Sequence, residues 1–248
     1  MNQGDRTVTV SAVILAAGSG TRMKSAVPKQ RMEVCGKPLF LYSVEAFAEI
    51  ADEVILVTGA GDIPLMQDLL RQFEPALPVP VNVTEGGSER SDSSYRGICA
   101  ARGDYVMIHD AARCCVSGEV IRDSLESALQ FGSGVAAVPC KDTVKIVRPA
   151  SPDQPEVRAV ESTPLRQNVV VVQTPQTFRR EELLAAYDRF RNAPERRTVT
   201  DDAGVMEDFG SREVVISAGS YENIKVTTPE DLYTVETILK NRKNAKNG

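Results

Sequence analysis

Apolar runs and helix-period stripes take turns along most of this chain. Residues 8–15 form a near-continuous apolar run, as expected of a strand buried on both faces of a parallel sheet. Residues 38–50 place Leu39, Leu41, Val44, Phe47 and Ile50 on one helical stripe. Strands over 54–58 and 79–83 follow, with a helix over 64–73 between them. Next come a helix over 90–102, a strand over 105–109, a helix over 120–131 and a strand over 135–138. After a break, the pattern predicts a buried strand over 169–173, helices over 181–190 and 201–209, and a strand over 214–217. A closing helix over 229–241 begins with Pro229 in its first turn, and the basic tail over 240–248 reads as frayed. Strands and helices alternating in this way predict an α/β fold with a mostly parallel sheet.

The rhythm breaks between residues 139 and 166. Pro149, Pro152, Pro155 and Pro164 interrupt short β-branched stretches there, and proline is excluded from central strands and helix interiors. The segment reads as an arm, an extended hairpin leaving the main body, or else as a surface insertion. The chain is therefore expected to be a single domain over 1–248 with an arm at about 139–166.

Composition narrows the chemistry. The chain has 248 residues and a formal net charge of -5, so it has no basic field for nucleic acid. Its five cysteines, Cys35, Cys99, Cys114, Cys115 and Cys140, lack zinc-site spacing and are expected to be reduced and packed as small apolar residues. His109 is the only histidine, which removes serine–histidine and cysteine–histidine nucleophiles elsewhere and leaves any metal to oxygen ligands. Along its strand His109 points away from Asp110, as a packed and hydrogen-bonded residue would. Residues 1–10 lack the layout of a signal peptide, and no segment approaches the roughly 20 apolar residues of a membrane span. A cytoplasmic protein without membrane contact is expected.

The strongest local feature is the run Ala16-Ala17-Gly18-Ser19-Gly20-Thr21-Arg22-Met23, directly after the first strand. Small residues there let backbone N–H groups close on anionic oxygens. A Walker loop is excluded because no Gly-Lys-Ser/Thr follows. A dinucleotide-binding turn is excluded by Met23 at the third small position and by Thr58-Gly59-Ala60 where an acid is needed. Cations stand here instead. Arg22 follows the glycines, and Pro28 keeps Lys29 on a loop returning beside them, so both can converge on one polyphosphate. Asp110 ends a predicted buried strand, where ligands meet open α/β sheets; it suits Mg²⁺ or a substrate hydroxyl, or else a helix N-cap.

These residues, with Pro28-Lys29-Gln30, resemble the sugar-phosphate nucleotidyltransferases. Within them the chain is similar, almost end to end, to the cytidylyltransferases acting on 2-C-methyl-D-erythritol 4-phosphate. The likeness runs through Gly86-Gly87-Ser88-Glu89-Arg90-Ser91-Asp92-Ser93, His109-Asp110-Ala111-Ala112-Arg113 and Asp142-Thr143-Val144-Lys145. It continues through Gln173-Thr174-Pro175-Gln176, Thr200-Asp201-Asp202-Ala203 and Asn223-Ile224-Lys225-Val226-Thr227. Three departures stand out: Cys114 replaces a proline, Arg31 replaces an aromatic residue, and residues 148–155 add a proline-rich stretch.

The resemblance implies a Rossmann-like sheet flanked by helices, with an extended β arm for dimerisation. It implies transfer of a cytidylyl group from CTP to a sugar-alcohol phosphate with Mg²⁺, in a homodimer. Arg22, Lys29 and Lys225 would then be catalytic. Ala16, Ala17, Gly18, Gly20, Gly87, Ser93 and Asp110 would hold the nucleotide, with Asp110 also on the metal. Asp110, Arg113, Thr143, Arg166, Thr174, Thr200 and Lys225 would face the acceptor, Thr143 and Arg166 reaching across the dimer. A ribitol 5-phosphate cytidylyltransferase shares the glycine loop and Asn-Ile-Lys, and the paired alanines of 111–112 favour the methylerythritol substrate. A non-catalytic nucleotide-binding protein on the same fold is the more distant alternative.

Overall fold

A computed structural model describes residues 8–18, 31–73, 77–149, 158–194 and 198–247. β1 (Val10–Leu15) is buried along its whole length. Val10, Ala12 and Ile14 face one apolar cluster, while Val13 and Leu15 face another. The continuous apolar run thus serves two cores, as strand alternation requires.

After β1 come a short hairpin of β2 (Glu33–Val34) and β3 (Lys37–Pro38), then α1 (Leu39–Ala48), β4 (Glu53–Thr58), α2 (Ile63–Phe73) and β5 (Val81–Glu85). They are followed by α3 (Arg90–Ala100), β6 (Tyr105–Asp110), α4 (Gly118–Phe131) and β7 (Ser133–Pro139). The remainder comprises β8 (Ile146–Val147), β9 (Val160–Ser162), β10 (Val170–Arg179), α5 (Arg180–Asn192), α6 (Asp202–Phe209), β11 (Ile216–Ala218) and α7 (Pro229–Asn247). Among the described residues, seven strands form one sheet in the order β11-β7-β10-β6-β1-β4-β5. α1, α2 and α4 cover one face, and α3, α5 and α6 cover the other. The Rossmann-like, mostly parallel sheet flanked by helices is therefore present. Gly97 lets α3 lie close to it: a Cβ there would be 2.4 Å from Val13 Cγ1 and 2.9 Å from Val57 Cγ2.

Four expectations need correction. The strand predicted as buried over 169–173 leaves Val170 and Val171 exposed, and burial begins only at Gln173. That strand runs on to Arg179 and is antiparallel to both β6 and β7, a direction that apolar periodicity does not encode. Its register shifts between Val172 and Gln176, so Pro175, which has no N–H for a ladder, sits in the irregularity. The closing helix continues to Asn247 instead of fraying at 240. Cys35 and Cys99 are exposed, whereas Cys114 and Cys115 alone are buried, within a small core that includes Leu39 and Val226; all five thiols are free.

Within 139–166, β8 and β9 pair antiparallel, and Lys145 Nζ donates to Thr163 Oγ1 at 2.8 Å. No described helix is long and apolar enough to cross a membrane.

Candidate active site

The chain passes from β1 outward through β4 to β5, then returns to place β6 on the opposite side of β1. That reversal opens a crevice at the carboxyl ends of the strands. Leu15 is in register with Asp110, and Thr58 with Glu85, so the loops that follow all four strands meet at one edge. A cleft of about 320 Å³ lies there, bordered by Ala17, Gly18, Gly87, Ser93, Asp110 and Lys225.

Charge in the cleft is arranged as a line. Lys225 Nζ lies 2.6 Å from Asp110 Oδ2, and Arg90 Nε lies 3.2 Å from Asp110 Oδ1. Behind it, Arg90 Nη1 is 2.8 Å from Oδ2 of Asp202, an ion pair without hydrogen-bond alignment. Asp202 Oδ1 accepts from the Tyr187 hydroxyl at 2.6 Å. Burial alone would raise the Asp110 pKa, but Arg90 and Lys225 outweigh it and hold the carboxyl well below the usual range. Burial also works against the Arg90 charge, and Asp202 with Asp110 overcomes it. Asp110 is thus an anion with a cation on each side.

A neutral hydrogen-bond array supports this line. The Thr174 hydroxyl accepts the Asp110 N–H at 3.1 Å and stands 2.9 Å from His109 Nδ1. His109 Nε2 is 3.2 Å from the Arg113 carbonyl, which can only accept, so Nε2 carries the proton and Nδ1 accepts from Thr174. Burial drives the His109 pKa down to about 3, leaving a neutral ring against Phe47. Asn223 joins the surrounding segments: its side chain donates to the Thr174 carbonyl at 2.8 Å, and its own carbonyl accepts from Arg113 Nη1 at 2.8 Å. The Val226 N–H donates to the Ala112 carbonyl at 2.9 Å, so the Lys225 loop is tied down on both sides of the lysine.

This arrangement can now be set beside known proteins. The model of the 2-C-methyl-D-erythritol 4-phosphate cytidylyltransferase family matches residues 10–241. The chain belongs to the 2-C-methyl-D-erythritol 4-phosphate cytidylyltransferase family. A relative of that name from Alkaliphilus oremlandii (strain OhILAs) is 40% identical over 240 residues, covering 95% of this chain and 97% of the relative. Another from Lachnospira eligens is 38% identical over 234 residues, covering 93% and 99%. The fold is similar to a crystal structure of 4-diphosphocytidyl-2C-methyl-D-erythritol synthase from Anaerococcus prevotii DSM 20548, with a TM-score of 0.77, 29% identity and coverage of 94% and 98%. The cytidylyltransferase from Thermus thermophilus aligns with a TM-score of 0.72 at 28% identity, covering 94% and 99%.

Within this cytidylyltransferase frame, the residues expected at the site fall into three groups. Ala17, Gly18, Gly87, Ser93, Asp110 and Lys225 line the cleft, and Ala16 is buried beside it with its N–H donated to the Val57 carbonyl at 2.7 Å. Arg113 and Thr174 lie underneath as supports, and exposed Thr143, Arg166 and Thr200 do not line the cleft. Gly20, Arg22 and Lys29 fall outside the described residues.

One local alternative drops out. Asp110 is no helix N-cap: α4 begins after Ser117, whose hydroxyl accepts the Val120 N–H. Gly86 and Gly87 are required by the first turn of α3, not only by a ligand. A Cβ on Gly87 would lie 2.2 Å from Asp92 Cβ, and one on Gly86 would lie 2.8 Å from Ala17 Cβ. Ser93 Oγ accepts the Gly87 N–H and donates to the Glu89 carbonyl, both at 3.1 Å, so the hydroxyl fixes the turn beside the cleft. Arg90 also borders the cleft and pairs with Asp110, and none of the roles inferred from the sequence falls on it. It stood inside the 86–93 motif, and its partners Asp110 and Asp202 come from distant segments.

Among the described residues, no group of three or more His, Cys, Asp or Glu side chains could hold a metal. Mg²⁺ needs no such cage, because one or two carboxylates and substrate phosphates complete its shell. Asp110 fits that role: it is ionised, borders the cleft, and each oxygen keeps a lone pair beyond its cation contact.

Neutral His109 makes stability depend on pH. Its folded pKa of about 3 lies below the ordinary histidine value of 6.5, so the unfolded chain binds more protons between them. The contribution is complete above pH 6.5 and is lost as pH falls toward 3. Urea unfolding of His109→Gln at pH 6, 5 and 4 should show a stability slope shallower than wild type by about 1.4 kcal/mol per pH unit. Parallel slopes would mean that His109 is not buried neutral.

Proposed function

We propose that the cleft binds CTP and that the chain transfers its cytidylyl group to 2-C-methyl-D-erythritol 4-phosphate, giving 4-diphosphocytidyl-2-C-methyl-D-erythritol and pyrophosphate. The observation that carries this reading is the ionised Asp110, flanked by Arg90 and Lys225 where the Gly18 loop meets the ends of β1 and β6. A phosphate oxygen of the acceptor attacks the α-phosphorus of CTP, the bond to the bridging oxygen breaks, and pyrophosphate leaves in line. Such a reaction depends on positioning and on cations near the equatorial oxygens. Lys225 is suited to this from the mouth of the cleft, its side chain 36% exposed and its ammonium on a flexible stem. Arg22 and Lys29 would add further cations, and Gly87 with Ser93 forms the wall for the base and ribose. Asp110 would hold Mg²⁺, which when bound neutralises charge on the nucleotide phosphates. No covalent intermediate on His109 is required, since both of its ring nitrogens are engaged.

The test is pyrophosphate release from CTP with either acceptor. Methylerythritol phosphate should support turnover at least about tenfold faster than ribitol 5-phosphate, lost in excess chelator and regained with Mg²⁺. Faster turnover of ribitol 5-phosphate, or full activity in chelator, would contradict the reading.

The same reading includes a homodimer in which the arm over 139–166 brings Thr143 and Arg166 to the neighbour's acceptor site. Its support is apolar surface with no cover of its own: Ile146, Val160 and Leu165 are 46%, 51% and 67% exposed. Arg166→Ala and Lys29→Ala should each be nearly inactive alone. Mixed subunits should recover about a quarter of wild-type activity, because half the dimers would be heterodimers with one intact site. No recovery after demonstrated subunit exchange would refute a shared site.

A further inference from the structure

We propose that Arg90 is a positioning residue for cytidylyl transfer, fixing the Asp110 carboxylate from the buried Asp202 behind it. The inference rests on the reaction assigned above and deepens it. Arg90 is the first residue of α3, Asp110 ends β6, and Asp202 opens α6, so one guanidinium joins three elements. Separate nitrogens do the joining, Nε toward Asp110 at 3.2 Å and Nη1 toward Asp202 at 2.8 Å. Asp202 is fully buried and cannot drift: its second oxygen accepts from Tyr187, which is 1% exposed in the core beneath α5. Nη2 of Arg90 is buried without a partner, so the guanidinium is oriented by the two carboxylates and not by saturation of its donors.

The two cations on Asp110 therefore differ in kind. Lys225 stands at the mouth on a flexible stem and can turn toward an incoming phosphate. Arg90 also borders the cleft, its side chain 26% exposed, but its tie to fully buried Asp202 holds it there, so Asp110 keeps both its place and a counter-charge when Lys225 turns. A lysine at position 90 would supply the charge but not the planar fork that spans two carboxylates. Asp202 also immediately follows Asp201, the N-cap of α6, which accepts from Gln176 Nε2 at 2.8 Å. Arg90 thus ties the nucleotide side of the cleft to the 200–203 segment that the family resemblance places near the acceptor.

The test compares Arg90→Lys and Asp202→Asn with wild type in the full chain, measuring kcat, KM for CTP and thermal unfolding. Arg90→Lys should lower kcat at least about tenfold, with KM for CTP within about threefold of wild type and with assays run well below its melting temperature. Asp202→Asn leaves every residue bordering the cleft in place and should reproduce the kcat loss at smaller size, at least about threefold. A merely structural role would lower the melting temperature and leave kcat intact. A folded Arg90→Lys protein with kcat within about twofold of wild type would overturn the proposal, as would a raised KM at unchanged kcat, which marks direct nucleotide binding. If Arg90→Lys does not fold, Asp202→Asn decides: kcat within about twofold of wild type overturns the proposal. A wild type without turnover contradicts the assigned reaction, whereas an active wild type matched by its variants contradicts only the role of Arg90.

Discussion

Asp202 has no access to water, and a carboxylate in that position has to be neutralised by something. Arg90 does so, and in reaching Asp202 it also reaches Asp110; Lys225 then closes the far side of Asp110. The result is an alternating line of lysine, aspartate, arginine, aspartate and tyrosine from the mouth of the cleft to the core beneath α5. Opposite charges along that line offset each burial penalty, so no member is readily removed alone. The electrostatic centre of the site is thereby attached to the buried core beneath α5.

The sheet makes this attachment possible. β1 and β6 are parallel neighbours, so their carboxyl ends coincide and Asp110 emerges beside the loop that begins at Ala16. β10 runs antiparallel between β6 and β7, and its irregularity at 173–175 brings Thr174 under Asp110. The neutral His109, Thr174 and Asn223 array then fixes backbone that the charged line alone would leave free. Charge attracts across the cleft, and hydrogen bonds beneath it set the angles.

Much of this was legible in the sequence because it is local. Continuous apolar runs located β1, β4 and β6, strand termini marked Asp110, and the break at 139 marked the interrupted segment. What stayed hidden depends on partners far along the chain. Lys225 meets Asp110 across 115 positions, and nothing within a few residues of Arg90 announces Asp202. The Gly86-Gly87 pair fits both a turn before a helix and a close approach to a ligand, and the first turn of α3 by itself demands it, since helix packing and ligand approach leave the same glycine signal. The direction of β10 was invisible for a related reason: side-chain periodicity is identical in parallel and antiparallel strands.

The central claim is that Arg90 and Asp202 form one buried electrostatic unit that anchors the site. A double-mutant cycle on unfolding free energy in urea, using Arg90→Gln and Asp202→Asn, measures it directly. Arg90→Gln leaves the fully buried Asp202 charge without its counter-charge and should cost about 3 kcal/mol or more. Asp202→Asn leaves Arg90 paired with Asp110 and should cost less. The double substitution removes both charges and should cost less than the sum by at least about 2 kcal/mol. Costs that add to within about 0.5 kcal/mol would show the two residues to be independent, and would contradict the account.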